Sequence, residues 1–174
     1  AIGNNWFRYY DLLVAEAITT SGQLSIRWIE SAVNDYLNDL LKTNNEDYVV
    51  ASDTDSIYVV FDKLVDKVFK EEQDSSRVIP FLDTVAREKL EPFINKSYED
   101  LHQYVNSYEQ KMEMSREVIA DKGIWTAKKR YILNAHDVEG VRYKEPQLKI
   151  MGIEAVKSST PAPCRQKIKD ALKI

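Results

Sequence analysis

Two features of the 174-residue sequence predict an α+β fold. Residues 48–61 read Tyr-Val-Val-Ala-Ser-Asp-Thr-Asp-Ser-Ile-Tyr-Val-Val-Phe. Two strand-length runs rich in β-branched and aromatic residues thus close on four polar ones, the pattern of an antiparallel β-hairpin with an acidic tip. Around it the apolar spacing is helical over residues 20–41 and about 76–106, and it returns to period two after Lys111. The expected architecture is an antiparallel sheet bearing the acidic hairpin, backed by two long helices, with a short helix at the C-terminal end.

Each element has its own signal. Residues 1–10 hold Gly3 and Asn4 and then a cluster of rings, Trp6, Phe7, Tyr9 and Tyr10, which reads as core packing. Thr20 and Ser21 suit a helix N-cap, and Leu24, Ile26, Trp28, Ile29, Val33, Tyr36, Leu37, Leu40 and Leu41 then recur at amphipathic spacing. A polar loop with Asn44 and Asn45 leads into the hairpin. A short helix is expected over Asp62–Phe69, followed by a charged loop over 70–77. The second long helix contains Pro92, which removes one helical hydrogen bond and costs about 3 kcal/mol, so a kink or a division into two helices is expected there. Strands are expected over 111–119, 124–127, 130–134 and, after a turn at 138–141, over 142–143 and 148–151. They would extend the hairpin sheet. Pro161 opens the last helix, at a position where its missing N–H costs nothing.

Composition narrows the possibilities. With 44% hydrophobic and 30% charged residues the chain is an ordinary globular mixture, expected to form one domain plus a tail. No apolar run approaches the roughly 20 residues that span a bilayer, which points to a cytoplasmic protein without a membrane partner. A single cysteine, Cys164, excludes an internal disulfide, and two histidines, His102 and His136, are too few for a His-rich metal site. The net charge of −4 hides an asymmetry: residues 1–120 carry 12 Lys and Arg against 22 Asp and Glu, or −10, whereas residues 121–174 carry 12 against 6, or +6. A polyanion would bind the basic third.

At the hairpin tip, Asp53 and Asp55 are two apart, a spacing that lets both face one pocket unless the turn divides them. Few carboxylates with open positions suit a hard cation such as Mg²⁺. Asp-Thr-Asp-Ser is also ordinary turn chemistry. The apolar flanks Val49, Val50, Ile57, Val59 and Val60 favour carboxylates held against a core.

The acidic hairpin resembles motif C of the family B DNA polymerases. Three further stretches resemble that family in the same order: Ala1-Ile2-Gly3-Asn4, like the segment after its motif B; Lys128-Lys129-Arg130-Tyr131, like its Lys-Lys-Arg-Tyr box; and Lys149-Ile150-Met151-Gly152 through Lys157 to Pro161, like the approach to its thumb. The wording between them is similar to the replicative polymerases of T-even-type bacteriophages. The resemblance implies that residues 1–157 are the C-terminal portion of a palm and residues 158–174 the start of a thumb. It implies that Asp55 ligates the metals with Asp53 beside it, Thr54 and Ser56 shaping the turn. Glu117 is either a carboxylate behind the metal or a surface glutamate. Alternation along a strand would send Lys129 and Tyr131 to one face and Lys128 and Arg130 to the other, gripping primer-template DNA with Lys129 nearest the primer phosphate. Lys149 and Lys157 would meet phosphates, with Gly152 allowing close approach.

Motif A, with the other metal-binding aspartate, and motif B, which holds the deoxynucleoside triphosphate, have no counterpart in these residues. The implied function is therefore part of a DNA-directed DNA polymerase with a two-Mg²⁺ site, inactive alone and paired with a complementary chain carrying motifs A and B. It would be either an excised fragment or a subunit of a polymerase encoded in pieces. A noncatalytic nucleic-acid-binding or assembly piece is the main rival; an unrelated α+β protein with a structural cation at the tip would show no DNA affinity.

Overall fold

The computed structural model describes residues 1–70 and 74–172. Their elements run α1 (Leu12–Leu41), β1 (Val49–Asp53), β2 (Ser56–Val59), α2 (Asp62–Phe69), α3 (Ser75–Val85), a π-helical turn (Ala86–Leu90), α4 (Glu91–Val105), β3 (Val118–Ala127), β4 (Arg130–Val138), β5 (Val141–Met151) and α5 (Ala162–Ala171). The fold is α+β, with antiparallel sheets. The part of the expected charged loop at 71–73 and the last two residues of the chain lie outside the described residues.

Helix α1 starts earlier than its apolar periodicity indicates. Asp11, not Thr20 or Ser21, is the N-cap, its carboxylate accepting from the Val14 amide at 3.0 Å. Thr20 and Ser21 turn their hydroxyls back onto the carbonyls of Glu16 and Ala17, both at 2.7 Å, so they sit inside the helix as self-satisfied residues. The aromatic N-terminal segment is not core: Trp6 is 95% exposed, and Phe7, Tyr9 and Tyr10 are exposed as well. Local turns hold this segment, such as Phe7 N–H to Asn4 O at 2.8 Å, and Phe7 meets Tyr9 edge-on at 5.9 Å within the segment itself instead of in the core.

The second long helix divides at Pro92, as its chemistry requires. A π turn precedes it, with the Glu91 amide reaching back to Ala86 O, and the wider turn absorbs the donor that Pro92 lacks. Pro80 also lies within a helix, α3, where the apolar spacing alone marks no break. Asn106, with φ of 50°, ends α4 in the left-handed conformation.

Among the described residues the hairpin and the later strands do not join: β1 pairs with β2, while β3, β4 and β5 form a separate three-stranded sheet in that order. The strand expected over 111–119 begins only at Val118. Upstream of it the Gln110 side chain bonds both backbone groups of Met112, so that peptide needs no ladder partner. The Val138–Val141 turn is as expected. Glu139 and Gly140 both have positive φ, 51° and 84°, which a two-residue type I′ connection demands.

The chain divides into two compact units. The first comprises Ala1–Val78 and Thr84–Ser115; its core is the α1 stripe of Ile29, Val33, Leu37 and Leu41 against Tyr48, Val49, Ile94, Tyr98 and Leu101. Met114 packs on its edge, whereas Met112 is exposed. The second comprises Ile79–Asp83 and Arg116–Ile174. Within it Asp137 is almost fully buried and its carboxylate is satisfied by Arg116 and by the Gly140 amide at 3.0 Å, while Arg116 also bonds Asp83 at 2.6 Å. Burial opposes the Arg116 charge, but the bonds to Asp137 and Asp83 more than offset it and raise the guanidinium above its ordinary pKa. At the end of β5, Gly152 adopts φ of 65° so close to the β3–β4 turn that a Cβ would lie 2.1 Å from the Lys129 carbonyl oxygen.

Arg116→Met should destabilise the second unit by about 1–3 kcal/mol in urea unfolding, because the buried Asp137 carboxylate loses its hydrogen-bonded cation and keeps only the more distant Arg142, 3.7 Å away. Gly152→Ala should cost about 1–3 kcal/mol in the same experiment, since the added methyl must push the Lys129 peptide away and hold a strained backbone.

Candidate metal and nucleic-acid site

The acidic turn is built from α1 outward. The side-chain oxygen of Asn34, on α1, accepts from the backbone amides of Tyr48 and Val49 at 2.8 and 3.1 Å, which clamps the entry to β1 onto the helix. Ser52 donates to Glu30 on the same helix at 3.2 Å. Strand β1 then ends at Asp53, which faces Ser56 across the ladder, leaving Thr54 and Asp55 as a two-residue tip.

The tip is strained. Thr54 has φ of 50°, an unusual conformation for a β-branched residue, and the Asp55 amide closes onto Asp53 O at 2.5 Å around it. Thr54 donates its hydroxyl to the Asp53 carboxylate at 3.0 Å, and Ser56 donates to the Asp53 carbonyl at 3.2 Å. Asp53 is half-buried at the strand end, and Asp55 is exposed in the turn, so strand alternation does not govern how the two carboxylates are aimed. Tyr98 on α4 is buried, which pushes its hydroxyl pKa up, and the charge of Asp55 raises it further. Among the described residues no three His, Cys, Asp or Glu side chains form a metal-holding cluster. Two oxygen donors on one open turn, without soft ligands, suit a hard cation that takes its remaining ligands from water and phosphate.

The basic residues belong to the second unit. Lys128 and Lys129 are not on a strand: they form the connection between β3 and β4, Lys129 in the left-handed conformation with φ of 61°. The predicted alternation over Lys128, Lys129, Arg130 and Tyr131 thus fails at its first two members, because Ala127 pairs directly with Arg130 and the lysines become an exposed tip. Beneath it Trp125 and Tyr131 lie with ring centroids 6.4 Å apart. A basic tip over two rings has the chemistry to meet backbone phosphates and bases without reading sequence.

Arg130 and Lys157 meet at one carboxylate, Glu154, that no sequence motif singles out. A terminal nitrogen of Arg130 lies 2.6 and 2.7 Å from the two oxygens of Glu154, and Lys157 lies 2.9 Å from one of them. The spacing of Glu154 and Lys157 is visible in sequence; the approach of Arg130 from β4 is not. Lys149 pairs with Glu117. Glu117 precedes β3 in the three-stranded sheet, not a strand of the acidic hairpin's sheet, so the expected ladder adjacency is absent. No helix among the described residues is long and apolar enough to cross a membrane.

No protein-family model matches the chain. The DNA-directed DNA polymerase of Escherichia phage RB69 is 48% identical to it over 182 residues, covering 99% of this chain and 20% of that protein. The DNA-directed DNA polymerase of Enterobacteria phage T4 is 44% identical over 185 residues, again covering 99% of this chain and 20% of the relative. The chain spans about a fifth of the length of these curated relatives. From end to end, then, the chain is similar to one stretch of the DNA-directed DNA polymerases of these two phages, and to a fifth of their length.

Proposed function

We propose that this chain is the C-terminal portion of a polymerase palm over residues 1–157 with the start of the thumb over 158–174, and that it contributes to template-directed DNA synthesis in the host cytoplasm. The observation that carries the reading is the near-complete match to phage polymerases by a chain that presents both an acidic turn and a basic, aromatic turn.

Asp55 and Asp53 are the residues that would hold Mg²⁺, with Thr54 and Ser56 keeping Asp53 in place through their bonds to its carboxylate and carbonyl. When bound, paired Mg²⁺ ions neutralise charge on the primer 3′-hydroxyl and on the departing pyrophosphate of a deoxynucleoside triphosphate. The chain's own part is to fix these carboxylates on a turn anchored to α1 and to grip the primer-template. Lys128 and Lys129 contact phosphates from the turn, while Arg130, Tyr131, Lys149, Gly152 and Lys157 shape the surface behind them. Lys149 also neutralises Glu117, whose role is then to set that lysine.

A complementary polymerase chain, or the remainder of a longer one, supplies motifs A and B. The exposed apolar residues Leu12, Leu13, Val14 and Ile18 at the start of α1, with Trp6 before it, support this partner, because apolar surface left open to water has the makings of an interface.

Primer extension with Mg²⁺ and four deoxynucleoside triphosphates tests the reading. The chain alone should give no product, and a mixture with a chain carrying motifs A and B should extend the primer. Asp55→Ala in that mixture should lower the rate by about a hundredfold or more, since a preorganised charge at the reacting phosphate is removed. No extension by a mixture shown to associate and to bind DNA would leave a noncatalytic binding or assembly module.

A further inference from the structure

We propose that Glu154 is a positioning residue that occupies, in the absence of DNA, the place of a backbone phosphate between Arg130 and Lys157, and that it restrains the affinity of this surface for duplex DNA. The proposal rests on the reading of the β3–β4 turn as a DNA contact and goes one step beyond it.

Three observations meet at this carboxylate. Arg130 bonds both of its oxygens from a single nitrogen, at 2.6 and 2.7 Å, and Lys157 adds a third bond at 2.9 Å. One anion therefore sits between two cations that come from different segments, the geometry a phosphate oxygen pair would take. The site is adjacent to the Lys128–Lys129 tip, because Gly152 packs against the Lys129 carbonyl, and a Cβ added to this glycine would also lie 3.1 Å from the Arg130 side chain. Glu154 remains ionised at neutral pH: the Lys157 hydrogen bond first, then its own backbone amide and the Arg130 charge, draw its pKa down to about 2.

Magnitudes decide what this pair does. All three side chains are partly exposed, at 39, 41 and 48% for Arg130, Lys157 and Glu154, and exposed ion pairs contribute only about 0–1 kcal/mol. A polyanion bringing several phosphates and releasing counterions outcompetes one carboxylate on a weak pair. Glu154 thus orders the two cations when DNA is absent, yields them when it binds, and lowers the net charge of the surface throughout. That suits a grip that must hold any sequence and let it move.

The test uses the full 174-residue chain and fluorescence anisotropy of a labelled primer-template duplex, titrated from about 50 to 200 mM NaCl. Glu154→Gln keeps the shape and an acceptor but removes the charge. It should tighten binding about threefold or more, and the slope of log K against log salt should steepen by about one, as cations freed from Glu154 engage phosphates. Glu154→Asp, which keeps the charge, should stay near the wild-type slope. An unchanged or weaker Glu154→Gln complex, with the melting temperature retained, overturns the proposal; so does a weaker complex from a variant that melts lower, because a purely structural role predicts it. The underlying contact is read separately by Lys128→Ala with Lys129→Ala. If that pair binds as tightly as wild type, the turn is no DNA contact and both readings fall; if it loses affinity while Glu154→Gln gains none, only the role of Glu154 falls.

Discussion

A buried stripe on one face of α1 carries the candidate metal site. Ile29, Val33 and Leu37 are essentially removed from water and pack against Tyr48 and Val49 at the start of β1 and against Ile94, Tyr98 and Leu101 on α4. Burying such side chains contributes roughly 1.5–3 kcal/mol each, far more than any bond in the acidic turn itself. A four-residue strand and a five-residue strand could not hold a strained tip unaided, since an isolated two-stranded hairpin is marginal in water. The α1 core, with Asn34 gripping the first two strand amides, is what allows Thr54 to keep its unfavourable backbone conformation.

The second unit solves a different problem. Its sheet is exposed over the outer half of β3, so packing alone does not define the shape of the basic turn. Polar contacts do so instead: Arg116 with Asp137 and Asp83 at one end of the unit, and Gly152 against the Lys129 peptide with Glu154 between Arg130 and Lys157 at the other. The two ends differ in kind. The Arg116 network is buried, where a lost hydrogen-bonding partner is costly, whereas the Glu154 network is exposed, screened and easily rearranged. The first suits a fixed framework and the second a surface that exchanges one anion for another.

Much of this is legible in the residues. Strand-length β-branched and aromatic runs flanking Asp-Thr-Asp-Ser identify the hairpin, Asp62–Phe69 reads as a helix with the boundaries it has, Pro92 marks the break before α4, and Glu139-Gly140 announces a tight turn. The failures share a cause. Thr20 and Ser21 look like a cap because side-chain chemistry alone does not say whether a hydroxyl will turn outward to begin a helix or back onto the preceding turn. Lys128 and Lys129 look like strand because nothing in a basic run says that the chain reverses there; that is decided by the pairing of Ala127 with Arg130. The rings at Trp6 to Tyr10 look like core because apolar composition signals burial without specifying what lies opposite.

Local pattern was therefore sufficient for the kinds of elements, for locating the acidic and basic clusters, and for the likeness to phage polymerases, because each depends on residues close together in the chain. Tertiary structure decided the contacts between distant segments: two sheets where one was expected, the burial of Asp137 beside Arg116, and the meeting of Arg130 with Glu154 across 24 positions of sequence. Such contacts are chosen by competition among many possible partners for a charged group. The winner is set by backbone geometry that exists only once the strands have paired.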